Sequence, residues 1–241
     1  VTTRSSWLRR TVAEAIGTFF LVLIGPGSVM VDARTHGAVG HAGIGLAFAF
    51  VVIAMIYALG HLSGAHINPA VTIAFWSVRR FPTKEVLPYV AAQCTGAVAA
   101  SLLLRMTLGP IGNMGATLPA LPLAAALAIE FVLSFGLMFV IMAVATDERV
   151  AEGFAPIAVG LTVGFCALMA GPLTGASMNP ARSFGPALVG ETWRAHWIYW
   201  LAPVTGMIAS AWCYSAIRHT EPPPVSSPLQ ALGVQGTLTR A

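Results

Sequence analysis

Charge is what this sequence has least of. Its 241 residues include 13 Lys and Arg and 9 Asp and Glu, 9% charged in all, against 56% hydrophobic residues and a mean hydropathy of +0.77. Soluble domains carry about 25% charged residues, so a soluble fold is excluded and a multi-span membrane protein remains. The net charge of +4 does not indicate nucleic acid, because the basic residues sit at the ends of apolar runs and form no patch. Cysteine is also scarce. Cys94, Cys166 and Cys213 lie far apart in apolar runs, with neither metal-ligand spacing nor a disulfide framework. His41, His61, His66 and His196 are scattered as well. No metal or cofactor is expected. The apolar runs hold no Ser/His or paired-Asp arrangement, which speaks against an intramembrane hydrolase and against an enzyme generally. No cleavable signal peptide is evident, since the first apolar run is long enough to span.

What is present is a set of long apolar runs. A helix crossing hydrocarbon needs roughly 20 mainly apolar residues. Six runs qualify: Thr11 to Val31, Ala42 to Gly60, Val86 to Leu104, Leu121 to Ala145, Phe154 to Ala170 and His196 to Ile217. Only Glu14 and Glu130 are charged within them. Two shorter pieces are left over, "NPAVTIAFWSV" from Asn68 and "NPARSFGPALV" from Asn179. At about 1.5 Å per residue each reaches half-way through a membrane. Asparagine is a good N-cap and proline suits the first helical position. Each piece is therefore expected to be a half-helix beginning at its own Asn-Pro-Ala: Asn68, Pro69 and Ala70, then Asn179, Pro180 and Ala181.

The chain repeats. Each half reads as a span with one glutamate, a second span, a half-helix and a third span. "EAIGTFFLVL" resembles "EFVLSFGLMF", and "SGAHINPAVT" resembles "TGASMNPARS". Three full spans per half invert the second copy relative to the first. Repeats of about 9–108 and 121–218 make one domain over 1–218, and the Pro-rich tail 219–241 is expected to be disordered. Basic residues favour the cytoplasmic side. Placing Arg4, Arg9, Arg10, Arg79, Arg80, Lys84, Arg149 and Arg218 inside leaves only Arg34, Arg105 and Arg194 outside, with both termini cytoplasmic. Trp193, Trp197, Tyr199 and Trp200 read as an interfacial belt. Gly60 with Gly64, and Gly160 with Gly164, have helix-contact spacing.

Inverted half-helices bring their N-termini together. Each carries about half a positive elementary charge and free N–H groups, so the junction repels cations and offers donors. The segments before each Asn-Pro-Ala are short and Gly-rich. They are expected to be extended, with carbonyls lining a wet path: Gly64, Ala65, His66 and Ile67 on one side, Gly175, Ala176, Ser177 and Met178 on the other. A narrow, neutral, hydrogen-bonding solute suits such a path. Glu14 and Glu130 occupy equivalent positions, which favours support of the adjoining loops over proton relay. Arg182 replaces Val71 of the first repeat, so folding of the motif does not require it, and a pore-facing guanidinium is expected.

Two Asn-Pro-Ala motifs in inverted repeats, the second extended by Arg182, resemble the aquaporins of the major intrinsic protein family. The resemblance covers residues 9 to 218. It implies an all-α membrane protein, a right-handed bundle of six transmembrane helices plus two re-entrant half-helices, assembled as a homotetramer in the cell membrane with a pore in each subunit. It also implies an outer selectivity filter of Phe48, Ala167, Ala176 and Arg182. Strict water channels of the family usually carry histidine where Ala167 stands. Aquaglyceroporins usually carry Asp at Ser183 and a basic residue at Ala187, and here the pattern follows water channels. The combination resembles bacterial relatives of the nodulin-like intrinsic proteins, which implies permeation of water and small neutral solutes such as glycerol and undissociated metalloid acids. Three alternatives stand beside it: a strictly water-selective channel, a proton-coupled transporter using Glu14 and Glu130, and a structural membrane protein tolerant of a blocked pore.

Overall fold

The computed structural model describes residues 4–146 and 153–218, with side chains from Trp7 onward. The expected tail 219–241, Arg4's side chain and Arg149 lie outside the described residues. Among the described residues eight α-helices follow one another: α1 (Arg4–Arg34), α2 (Gly40–Ser63), α3 (Pro69–Ser77), α4 (Thr83–Leu108), α5 (Leu123–Thr146), α6 (Ala155–Thr174), α7 (Pro180–Val189) and α8 (Ile198–Ile217). Between α4 and α5, Gly112–Gly115 make a single turn in which all four residues have left-handed φ, from 49° to 65°.

Most helices overrun the apolar runs that announced them, because a membrane helix continues into its polar flank until a cap stops it. α6 runs through Pro172 to Thr174. Proline removes the N–H that would bond the Leu168 carbonyl, and His41 Nε2 supplies the missing donor at 2.6 Å. By length and composition α1 (from Trp7), α2, α4, α5 and α6 can cross a membrane. α8 has 20 residues like α6, but Thr205, Ser210, Trp212 and Tyr214 dilute its hydropathy.

Packing follows the repeat. α1 lies on α4 and α5 on α8; α7 lies on α4 and α3 on α8; α2 packs against α6. Exchanging the two halves maps this scheme onto itself. The close approaches are equivalent too. A Cβ on Gly96 would sit 2.1 Å from the Ala15 carbonyl oxygen, and one on Gly206 would sit 2.5 Å from that of Phe131. Gly160 and Gly164 press on Ala49 of α2, as their spacing suggests. Gly60 and Gly64 do not form such a pair: the only atom near a Cβ on Gly60 belongs to Ile56 of its own helix, and Gly64 caps α2 at φ 86°. Tyr199 also departs from the expected belt, since it is wholly buried while Trp193 and Trp197 are exposed.

Candidate functional site

Asn68 and Asn179 cap α3 and α7. Both have extended backbone, and each amide oxygen accepts from the new helix: Ala70 N at 2.9 Å for Asn68, Ala181 N at 3.0 Å and Arg182 N at 3.2 Å for Asn179. Pro69 and Pro180 take the first helical position. Ala70 and Ala181 behind them are fully buried. The amide nitrogens cross between the repeats. Asn68 Nδ2 donates to the Met178 carbonyl and Asn179 Nδ2 to the Ile67 carbonyl, each at 2.8 Å. The two N-termini are thus tied face to face. A side-chain amide has two N–H groups, so each asparagine keeps one for the cavity both line.

The segments leading to them are not extended. Gly64, Ala65 and Ile67 have φ of 86°, 44° and 43°, and Gly175, Ala176 and Met178 have 92°, 42° and 50°. Left-handed residues on either side of His66 and of Ser177 turn successive N–H groups to one side, forming an anion-binding nest. The anion in each nest is a buried glutamate. Glu14 Oε1 accepts from Ser63 Oγ (2.7 Å) and His66 N (2.9 Å), and its Oε2 accepts from Ile67 N (2.6 Å) and Gln93 Nε2 (2.8 Å). Glu130 Oε1 accepts from Thr174 Oγ1 (2.7 Å) and Ser177 N (2.8 Å), and its Oε2 accepts from Met178 N (3.0 Å). A non-glycine residue held left-handed costs about 1–3 kcal/mol and persists only where its surroundings over-determine it. Here the carboxylates do so. Of the inset carbonyls, those of Ile67 and Met178 accept the asparagine amides across the junction.

Further braces were not legible. Tyr89 Oη donates to the Ser63 carbonyl at 2.9 Å and Tyr199 Oη to the Thr174 carbonyl at 2.6 Å, equivalent bonds in the two repeats. Ser63 and Thr174 hydroxyls also accept from Ala65 N and Ala176 N. Thr117 Oγ1 donates to Ser183 Oγ at 2.9 Å, which in turn meets Ser177 Oγ at 2.6 Å. Matching Ser63 to Thr174 as the first hydroxyl of each inset was the one available signal. The tyrosines and Thr117 sit too far along the chain to give any.

A cavity of about 350 Å³ runs along these segments. Gly64, Ala65, His66 and Ile67 line it, as do Ala176, Ser177 and Met178; Gly175 does not. Gly175 instead ends α6, where a Cβ would meet Thr117 at 2.8 Å. Apolar side chains such as Leu21, Val52, Leu137 and Val159 make the remaining wall. No acid lines it among the described residues. Its two cations are Arg182 and Arg80, and Glu14 and Glu130 stay behind the wall. Among the described residues no three His, Cys, Asp or Glu converge as a metal site.

Phe48, Ala167, Ala176 and Arg182 all line this cavity and all are buried. Arg182 donates from Nη1 to the Gly115 carbonyl at 3.0 Å, and its guanidinium carbon lies 5.1 Å from the Phe48 ring centroid. Arg10–Glu85, at 2.7 Å, is the one ion pair among the described residues, so Arg182 has no carboxylate bound to it. Its Nε has no protein partner. Gly115 can approach because it lacks a side chain: a Cβ there would lie 2.6 Å from the Pro26 carbonyl oxygen.

The major intrinsic protein family model matches residues 1–214. Aquaporin NIP1-1 of Oryza sativa subsp. japonica is 44% identical over 218 residues, covering 90% of this chain and 77% of that protein. Nodulin-26 of Glycine max is 45% identical over 218 residues, covering 90% and 80%. The X-ray structure of the aquaglyceroporin from Plasmodium falciparum matches with a TM-score of 0.76 at 26% identity, covering 88% of this chain and 96% of that one.

Proposed function

The chain belongs to the major intrinsic protein family, and from that premise we propose that it is a passive channel for water and small neutral solutes such as glycerol. The cavity carries this reading. Residues of both insets line it, together with the two asparagines whose amides bond across the repeats. A solute that both donates and accepts can exchange its water shell for these groups step by step. A cation meets two half-helix N-termini, each equivalent to about +0.5 charge, then Arg182, with no acid among the described residues of the wall to compensate. The same field opposes a proton relayed along a file of water.

Solute range follows from the gate. Phe48 and Arg182 close one side, while Ala167 and Ala176 add little bulk to the other. Undissociated boric and arsenious acids fall within the proposed range, being neutral and rich in hydroxyl groups. Asn68, Pro69, Asn179 and Pro180 build the junction in this reading; Glu14 and Glu130 hold the insets. The transporter alternative needs titrating groups that face the path, and both glutamates are buried and occupied by three or four protein donors. We assign one channel unit to residues 1–218, a homotetrameric assembly, the cell membrane, and both termini to the cytoplasm. Positive charge on the α1 and α4 starts favours that orientation.

Stopped-flow measurement on proteoliposomes tests the proposal. Water, glycerol and boric acid should each permeate faster than through empty liposomes. No water flux above the empty control refutes the channel; water flux with glycerol, boric acid and arsenious acid all excluded reduces it to the strictly water-selective alternative.

A further inference from the structure

Phe48 reaches the gate from α2, and one edge of its ring enters a notch in α1. The notch is Gly25. A Cβ at this position would lie 2.2 Å from ring Cε1, 2.6 Å from Cζ and 2.7 Å from Cδ1. Carbon atoms in contact stand about 3.5–4.0 Å apart. One turn earlier on α1, Leu21 lines the cavity, so the α1 wall runs up to the point where its side chain is missing. Backbone conformation does not call for glycine there. Gly25 lies within a helix and is not among the residues of positive φ, and glycine is a poor helix former. What the position supplies is room.

On the reading of the chain as a channel, we infer that Gly25 sets the aperture of the gate: by seating the Phe48 ring against α1, it determines which neutral solutes pass. Gly25 is a positioning residue and does not itself line the cavity. Any side chain there must displace the ring by about 1.3 Å to restore carbon contact, from 2.2 Å to about 3.5 Å. α1 is packed on α4 and on the Gly112–Gly115 turn, which resist its retreat. Its next residue, Pro26, touches that turn closely, since a Cβ on Gly115 would lie 2.6 Å from the Pro26 carbonyl oxygen. The ring therefore yields toward its open side, which is the cavity and Arg182. Water, the smaller permeant, retains a path that glycerol loses.

The experiment compares wild type, G25A, F48A and G25A/F48A in proteoliposomes, reading water and glycerol permeability on the same preparations. G25A should lower the glycerol-to-water permeability ratio by about tenfold or more. G25A/F48A should regain the ratio of F48A alone, because no ring remains to be pushed. The ratio does not depend on how much protein inserts, and rescue by F48A separates aperture from misfolding. If the wild type passes water but no glycerol, the same loss and the same rescue should be read in water permeability. An unmoved ratio in G25A, or a double variant as impaired as G25A, overturns this inference and leaves the channel intact. A wild type that passes neither solute overturns both.

Discussion

Thr174→Val isolates what holds the outer inset in its left-handed form. The change is nearly isosteric and removes only the hydroxyl. That hydroxyl donates to Glu130 Oε1 at 2.7 Å and accepts from Ala176 N at 3.2 Å. A hydrogen bond to a charged group contributes about 1.5–3 kcal/mol, and a buried N–H left unpaired costs about 1–3 kcal/mol. The acceptance from Ala176 is long, so the sum sits near the lower end, about 2.5–4 kcal/mol. Glu130 keeps its charge and burial, so no gain in desolvation offsets the loss. At roughly 2–4 °C per kcal/mol for a chain of this size, the midpoint of thermal unfolding in detergent should fall by about 5–15 °C. Ala176 belongs to the gate and has φ 42°, so the glycerol-to-water ratio should change with it. Thr174→Ser is the control, since the other repeat already uses Ser63 in this role. A midpoint within about 1 °C of wild type in T174V, or equal damage in T174S, would refute the account of the nest.

Three further outcomes are expected. Wild-type glycerol flux should be unaffected by an imposed proton gradient, and the little E14Q protein that inserts should show the same indifference; gradient-driven uptake abolished by E14Q would establish the transporter instead. A167H should cut glycerol permeability by roughly tenfold or more while water still flows, because the ring fills the roomy side of the gate; undiminished glycerol flux would place the constriction elsewhere. His196, which precedes α8, accepts a hydrogen bond from Trp200 Nε1 at 3.2 Å, and an indole can only donate, so the imidazole must be neutral there. Its burial lowers its pKa below the usual 6.5. The unfolded chain therefore takes up the proton first: the stability from this pair is present above about pH 6.5 and is lost as pH falls toward the lowered folded value. Thermal midpoints measured between about pH 7 and 5 should drop in wild type and drop less in H196Q.

The features read correctly from the sequence are those whose chemistry is local. Asn68 caps Ala70 and Asn179 caps Ala181 two residues away, so the starts of α3 and α7 were legible from three letters each. The insets were misjudged because glycine permits an extended chain as readily as a left-handed one, and the choice belongs to Glu14 and Glu130, about fifty residues distant. Gly60 looked like a packing residue and is not one; Gly96 and Gly206 are, and no spacing marks them, since the surface each meets lies on another helix.

The sequence by itself determined that this chain lives in a membrane, that it is built twice over, and where its two half-helices begin. Apolar length, repetition and capping act within a few residues, so a string of letters carries them. Tertiary structure alone decided that Tyr89 and Tyr199 brace the insets, that the Gly115 carbonyl anchors Arg182, and that Gly25 makes room for Phe48. Each of these joins residues more than twenty positions apart. Their meeting is fixed by how separate helices and the turn at Gly112–Gly115 stack, and an aperture is a difference between such distances.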